Sequence, residues 1–195
     1  MNADVSASAG WRTVDIVVAA VLAVVFGVVF WQWGAYWAWV FTPPINPLAY
    51  LVTGVWLIPG VLAGLIIRRP GAALLTEALA GAISALLGSV WGLDTVASGI
   101  AQGLGAELVF AATLYRSFGP VTAILAAAGS AVGEWLHDAY FYFSGTAFEV
   151  QLTYGVFMLI SAVLIAGLGS WLLVRALIPT GVLADFPAGR DQRRV

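Results

Sequence analysis

Polar side chains that can bind small molecules occur inside strongly apolar stretches of this chain. A carboxylate or amide in such a stretch is costly in a membrane and marks a functional site by default. Carboxylates accept hydrogen bonds from amino and ring N–H groups, and aromatic faces stack on flat rings and attract cations. The combination predicts a site for a flat, nitrogen-rich small molecule, cationic or neutral. The polar residues concerned are Glu77, Gln102, Glu107, Glu134, His137 and Asp138.

Aromatic residues are concentrated on the predicted outer side of the molecule. One interpretation is an interfacial belt, which should be roughly symmetric between the two membrane surfaces. Only Trp11 and Trp171 mark the inner surface, which favours the second interpretation, an aromatic-lined pocket on the outer side. The predicted ligand-binding residues are Glu77, Trp91, Gln102, Glu134, Trp135, His137, Asp138 and Tyr140, with Trp31, Trp33, Trp37 and Trp39 from one tryptophan-rich segment.

Several other kinds of chemistry have little support in the residue types. The chain has no cysteine and a single histidine, which disfavours iron–sulfur clusters, cysteine nucleophiles and a zinc site. It shows no recognisable nucleophile–base pair and no phosphate-binding loop. The formal net charge of −2 is too small to indicate a nucleic-acid partner. We therefore expect a non-catalytic protein without a metal or cofactor.

The elements that position these residues are predicted to be membrane helices. The chain has 195 residues, of which 62% are hydrophobic and 9% charged, and its mean hydropathy is +0.97. At about 20 apolar residues per span, this predicts an all-α integral membrane protein with six transmembrane helices in a single domain, 1–195. The predicted helices are 14–30, 51–67 (kinked at Pro59–Gly60), 70–90, 94–115 (with Asp94 as N-cap), 120–143 and 152–178, with tails at 1–12 and 180–195 and an outer aromatic loop at 31–50.

The basic residues predict the orientation of these helices. With six spans and the N-terminus inside, all eight fall on one side of the membrane. The positive-inside rule makes that side cytoplasmic, so both termini are predicted to be cytoplasmic and the chain to lie in the cell membrane. The eight residues are Arg12, Arg68, Arg69, Arg116, Arg175, Arg190, Arg193 and Arg194.

Two of the carboxylates are predicted to lie at similar depth in the inner half of the membrane. At about 1.5 Å per residue, Glu77 lies roughly 10 Å, and Glu107 roughly 13 Å, from the inner ends of their helices. Gln102 lies further out, on a face of its helix shared with Ser98. Glu77 and Glu107 either bind ligand or hold the helices together through hydroxyl and backbone groups, and both interpretations stay open.

Small residues recur every four positions along the first helix, at Ala19, Ala23 and Gly27. Such a pattern gives a smooth face that lets another helix approach closely. Packing within the chain is one use of it, and docking of another membrane subunit is the other.

Three segments give the chain a resemblance to a known family. They are RRPGAALLTEALAGAISALLGS at 68–89, GIAQGLGAELVFAATLYR at 99–116 and GSAVGEWLHDAYFYFSG at 129–145. Together they resemble the substrate-binding S component of energy-coupling-factor (ECF) vitamin transporters, in particular the thiamin and hydroxymethylpyrimidine type.

The resemblance implies a six-helix S component that takes up its vitamin from an outward-facing pocket. It implies a transmembrane T component and two cytoplasmic ATPases as partners, with ATP hydrolysis confined to those partners. In such proteins a small-residue face on the first helix docks the T component, a role that would fall to Ala19, Ala23 and Gly27. A glutamate contacts the aminopyrimidine and aromatic rings hold the thiazolium, but the resemblance does not say which glutamate.

A second class of function stays open at this point. A stand-alone secondary or proton-coupled transporter would use Glu77 and Glu107 as a proton relay. A third possibility is a scaffold for membrane assembly that binds no small molecule.

Overall fold

The computed structural model describes residues 10–40 and 46–190, and within these ranges the chain is helical with no strand. Portions of the two predicted tails and of the predicted outer loop, at 1–9, 41–45 and 191–195, lie outside the described residues. The main helices are α1 (Thr13–Val40), α2 (Ile58–Ile67), α3 (Ala72–Leu86), α4 (Asp94–Ala112), α5 (Pro120–Phe141), α6 (Phe148–Ser161), α7 (Gly169–Leu177) and the short α8 (Pro187–Arg190). A 3-10 helix (Pro47–Leu57) precedes α2, a π-helix (Ala162–Leu168) joins α6 to α7, and a 3-10 turn (Ile178–Thr180) follows α7.

Most of the described residues belong to helices, and several of these are long and apolar enough to cross a membrane. By length and hydropathy, four segments can cross a membrane: Thr13–Val40, Pro47–Ile67, Asp94–Ala112 and Phe148–Thr180. Helix α3 is apolar but shorter. Large apolar side chains such as Val21, Val24 and Leu108 are exposed on the helix surfaces, as expected where lipid replaces water. The architecture is that of an all-α membrane protein.

The first helix ends later in the chain than we predicted. We expected a helix ending at residue 30 followed by an aromatic loop, but α1 continues without a break to Val40. The first proline of this region is Pro43, so nothing in 31–40 removes a backbone donor, and tryptophan and tyrosine are tolerated in helices. The tryptophans of this segment therefore project from a helix, not from a loop.

The predicted second helix divides into two kinds of helix. Residues Pro47–Leu57 form a 3-10 helix, with the Asn46 side chain accepting a hydrogen bond from the backbone N–H of Leu48. The α-helical segment begins at Ile58, with Pro59 in its first turn, where proline is tolerated because its missing N–H has no intrahelical partner. The kink expected at Pro59–Gly60 thus appears as a change of helix type one residue earlier.

Small residues let the helices approach closely. Ala19, Ala23 and Gly27 are buried along α1, and a Cβ added to Gly27 would lie 2.5 Å from Cγ2 of Ile83 in α3. Gly105 of α4 faces Gly129 of α5 so closely that a Cβ on either would overlap the other's carbonyl oxygen. The α1 face predicted to dock a partner is therefore occupied by α3 of the same chain.

The described part of the C-terminal segment packs against the helices and does not extend from them as a tail. Leu183, Phe186 and Ala188 are buried and belong to the main hydrophobic core. At the other end of the chain, the Trp11 indole donates a hydrogen bond to the carbonyl of Pro70. The described residues of the predicted tails at 1–12 and 180–195 thus pack on the helices, because they carry aromatic and aliphatic side chains that bury well.

Candidate ligand-binding site

A cavity of about 390 Å³ opens between the helices on the side away from the arginines of the α2–α3 turn. This size falls in the usual range of small-molecule sites, about 300–1,000 Å³. It is lined by Phe30, Trp37, Ala38, Tyr50, Thr53, Trp56, Leu57, Trp91, Asp94, Thr95, Ser98, Gly99, Gln102, Glu134, His137, Asp138, Tyr142, Phe143 and Met158.

Three tryptophans from three separate elements form one wall of the cavity. Trp37 extends from the C-terminal end of α1, Trp56 from the 3-10 helix and Trp91 from the α3–α4 turn. The ring centroids of Trp37 and Trp91 are 5.8 Å apart, those of Trp56 and Trp91 5.6 Å and those of Trp37 and Trp56 6.3 Å. These tilted and edge-to-face contacts fix the indoles against one another. The wall offers aromatic faces to a flat or cationic ligand.

The 3-10 helix aligns a second set of side chains along the same cavity. Tyr50, Thr53 and Trp56 all line it and follow one another at intervals of three residues. In a 3-10 helix, with three residues per turn, side chains at that spacing eclipse one another. Tyr50 is further held by stacking on Tyr154, with centroids 4.9 Å apart. The helix type therefore decides that these three residues share one face.

The opposite wall is a chain of hydrogen bonds between α4 and α5. The Ser98 hydroxyl lies 2.9 Å from each carboxylate oxygen of Glu134 and donates to that group. Ser98 in turn accepts a hydrogen bond of 2.7 Å from Nε2 of Gln102. The Oε1 atom of Gln102 is buried and has no hydrogen-bond partner among the described residues. A buried acceptor without a partner is costly, which makes this amide a candidate contact for an N–H donor of a ligand.

His137 lies between two carboxylates at the edge of this wall. Its Nε2 is 3.3 Å from Asp94 and its Nδ1 is 3.4 Å from Asp138. The Tyr142 hydroxyl also donates to Asp94. Burial raises the pKa of Tyr142, and the Asp94 carboxylate adds to the effect, so the phenol stays a donor. Asp94, expected to cap α4, instead begins that helix without a side-chain cap and orients the histidine.

Glu134, His137 and Asp138 form the group best placed to hold a cation. They are spaced at three and four residues on α5, which puts them on one helix face. One ligand atom from each lies within 4.8 Å of the others. Both ring nitrogens of His137, however, face carboxylates, so coordination of a metal would take the ring away from one of them.

Glu77 does not line the cavity. Its side chain is completely buried, and its Oε2 accepts a hydrogen bond of 2.6 Å from the backbone N–H of Gly60. Gly60 belongs to the first turn of α2, whose N–H groups have no intrahelical partner. Glu77 of α3 thus satisfies the N-terminus of α2 from outside that helix.

Glu107 has the same role at the next helix along the chain. Its carboxylate accepts hydrogen bonds from the backbone N–H groups of Gly71, Ala73 and Leu74 at the start of α3. The Tyr115 hydroxyl donates a fourth, of 2.6 Å. A carboxylate at a helix N-terminus also interacts favourably with the helix dipole. Of the two interpretations that the sequence left open, these contacts favour the helix-holding one for Glu107.

The remaining predicted residues lie outside the cavity. The Trp135 indole donates to the carbonyl of Gln151, and Trp33 donates to that of Val52. Trp39 is 79% and Tyr140 75% exposed, and Trp31 is partly buried elsewhere on α1. Conversely, Tyr50, Thr53 and Trp56 were not among the residues predicted to bind ligand. Their three-residue spacing is a signal only once the helix is known to be 3-10.

Comparisons with known proteins agree with this architecture. A family model described as "ABC-type cobalt transport system, permease component" matches residues 14–133. "Putative HMP/thiamine permease protein YkoE" of Bacillus subtilis (strain 168) is 34% identical over 189 residues, which are 94% of this chain and 93% of that protein. A solved structure described as the crystal structure of an S-component of an ECF transporter superposes with a TM-score of 0.86 at 34% identity, covering 95% of this chain and 94% of the other.

The fold, the cavity and these matches together define a substrate-binding subunit of a membrane transporter. At 34% identity over nearly the whole chain, the matches also identify the family. The chain belongs to the family of S components of ECF transporters.

Proposed function

We propose that this chain captures thiamin or its hydroxymethylpyrimidine precursor from outside the cell and releases it inside. The observation that carries the proposal is one cavity in which three contacting indoles face the Glu134–Ser98–Gln102 chain. An aminopyrimidine brings N–H donors, which suit the oxygen acceptors of Glu134 and Gln102. The thiazolium ring of thiamin is a flat cation, which suits the indole faces. The name of the Bacillus relative points to the same ligands.

The cation-accepting side of the cavity adds to this argument. Asp94, Glu134 and Asp138 all line it, with His137 as the one basic side chain among the described lining residues. Such a wall favours ligands with positive charge or several N–H donors over anions. Hydroxymethylpyrimidine lacks the thiazolium, so it would stack on the indoles without a cation–π contribution and depend more on the polar wall.

The proposed topology has six membrane crossings with both termini in the cytoplasm. The crossings would be α1, the 3-10 helix with α2, α3, α4, α5 and the α6–α7 segment. Ion pairs between Asp15 and both Arg12 and Arg69 support it, because they gather basic residues at one end of the bundle. The positive-inside rule would make that end cytoplasmic and the cavity end external, in the cell membrane.

The proposed partners are a transmembrane T component and two ATPases, which would hydrolyse ATP while this chain stays non-catalytic. Membership of the S-component family supports this assembly. Docking through Ala19, Ala23 and Gly27 would require α1 to separate from α3, because all three are buried there. The described contacts give the two residues of the proton-relay alternative another use, since Glu77 and Glu107 each accept hydrogen bonds from a helix N-terminus.

The test is a ligand titration of the purified protein followed by tryptophan fluorescence. Thiamin, hydroxymethylpyrimidine and cobalt(II) chloride are the three probes, the last because of the description of the family model. Saturable quenching by thiamin or hydroxymethylpyrimidine, with none by cobalt, is the expected result. Binding of cobalt alone, or of none of the three, would overturn the proposal. Mass spectrometry of any co-purified ligand gives an independent check.

A further inference from the structure

A second cavity, of about 300 Å³, lies among α2, the α4–α5 turn and α7. It shares no lining residue with the ligand cavity. Two arginines and two large aromatic residues are set among aliphatic side chains there. Of the described residues that line it, none is acidic. They are Leu65, Arg68, Phe118, Trp171, Val174, Arg175, Ile178 and Ala188.

Both arginines in this cavity are stacked on aromatic rings. The guanidinium carbon of Arg175 lies 4.9 Å from the ring centroid of Trp171, and that of Arg68 lies 4.5 Å from the ring of Phe118. The Nε of Arg68 donates a hydrogen bond to the carbonyl of Leu65, whereas the stacked Arg175 guanidinium keeps its N–H donors in its own plane, directed away from the ring. That planar fork matches the oxygens of a phosphate group in a bidentate manner.

The rest of the cavity has a different character. Leu65, Val174 and Ile178 give it an apolar floor, and Leu172 and Leu173 of α7 are exposed on the adjacent surface. A ligand that satisfies both regions must combine a negative headgroup with a hydrocarbon chain. Arg68 ends α2 in the left-handed conformation, with φ of 55°, and the cavity lies at this end of α2.

We propose that this cavity binds the phosphate headgroup of an anionic phospholipid, with an acyl chain lying along α7. Basic pockets between transmembrane helices on the cytoplasmic side are suited to such headgroups, and the inner leaflet is rich in anionic lipid. The leaflet assignment rests on the proposed orientation of the S component. The contacts with phosphate and hydrocarbon do not depend on it.

The test is native mass spectrometry. The protein in detergent is mixed with phosphatidylglycerol or phosphatidylcholine, and the lipid that stays bound after the detergent is removed is measured. The wild type should retain phosphatidylglycerol in preference to phosphatidylcholine, and Arg175→Gln should reduce that preference about tenfold, since it removes one charge-assisted fork. Arg116→Gln is the matched control, because Arg116 is exposed and does not line the cavity. Thermal unfolding of each variant shows that it is folded, as expected for exposed positions.

Three outcomes would overturn the proposal. Equal retention of the two lipids by the wild type, or an unchanged preference in Arg175→Gln, removes the cavity as a lipid site. Displacement of phosphatidylglycerol by inorganic phosphate at equal concentration assigns the site to a free anion instead. Thiamin titration of the same samples separates failure of the lipid site from failure of the proposed function. Arg175 does not line the ligand cavity, so Arg175→Gln should bind thiamin as the wild type does.

Discussion

A single hydroxyl proton decides the chemistry of the polar cavity wall. Ser98 has one proton to donate, and its contacts with Glu134 use it, so Ser98 can only accept from Gln102. The amide of Gln102 is thereby oriented with its nitrogen towards Ser98, and its oxygen is left without a partner among the described residues. The wall presents acceptors, so we expect its ligand to bring the donors.

The first prediction concerns Glu134. Replacing it by glutamine removes the charge and exchanges one acceptor oxygen for a donor, so Glu134→Gln should weaken thiamin binding at least tenfold, about 1.4 kcal/mol. Fluorescence titration in detergent measures the change. Glu149→Gln, at an exposed position away from the cavity, is the matched control and should bind as the wild type does. Equal affinity in both variants would remove Glu134 from the site.

The second prediction separates the aromatic wall from the polar wall. Trp91→Ala removes an indole that contacts two others. It should weaken binding of the cationic thiamin more than that of hydroxymethylpyrimidine, by about 2 kcal/mol, the size of a desolvated cation–π contact. Isothermal titration with both ligands measures the difference. Trp39→Ala, at a 79% exposed position, should change neither affinity; an equal loss for both ligands in Trp91→Ala would contradict the assigned role.

At the scale of the helix, two buried carboxylates act as caps supplied by a neighbour. Glu77 of α3 serves the start of α2, and Glu107 of α4 serves the start of α3. Glu77 accepts from one backbone N–H and Glu107 from three; lipid cannot satisfy such groups, and an unsatisfied one is expensive. The carboxylates therefore tie successive helices together in order along the chain.

The third prediction tests this capping role. Glu107→Ala leaves three backbone donors and the Tyr115 hydroxyl without their acceptor. Since each buried unsatisfied group costs about 1–3 kcal/mol, the variant should unfold at a temperature lower by several degrees. Thermal unfolding in detergent measures this, with Glu149→Ala as the control. The folded fraction should keep its affinity for thiamin; a loss of affinity without loss of stability would show that Glu107 acts in binding.

Sequence reasoning at this scale predicted the helices well and their winding poorly. Pro70, Asp94 and Pro120 predicted where α3, α4 and α5 begin to within a few residues, because proline and aspartate favour the first positions of helices. The run at 31–40 was expected to belong to a loop because of its aromatic content and the prolines at 43, 44 and 47, but aromatic residues do not break a helix and the prolines follow residue 40. The 3-10 winding of Pro47–Leu57 was not predicted, since hydropathy has no signal for it, and with it the alignment of Tyr50 and Trp56 was missed.

At the scale of the whole molecule, the chain separates two chemistries between its ends. The cavity end carries the indoles and the acids of the polar wall, and the other end carries the arginines of the α2–α3 turn and of α7. The asymmetry of charge was readable from the sequence because it depends only on which loops contain arginine. The cavity itself was not, because it depends on how α4, α5 and the 3-10 helix are rotated.

The fourth prediction tests the proposed orientation. The chain has no cysteine, so single cysteines can be introduced without background. Ser144→Cys, in the exposed α5–α6 turn, should react with a membrane-impermeant maleimide added to intact cells. Ser117→Cys, in the exposed α4–α5 turn, should react only after the cells are permeabilised. The reverse pattern would place the cavity on the cytoplasmic side, and the cysteine-free wild type reports non-specific labelling.

Because Pro47–Leu57 is wound as a 3-10 helix, it is longer and has more turns than an α-helix of the same residues. Its 11 residues span about 22 Å at the 3-10 rise of about 2.0 Å per residue, against about 16 Å at the α-helical rise of about 1.5 Å. Rewinding to the α form would also reduce the number of turns from about 3.7 to about 3.1. Tyr50, Thr53 and Trp56 would then fan out around the helix instead of forming one edge. Recognition of the ligand is thus tied to the pitch of one segment as much as to the residues that it carries.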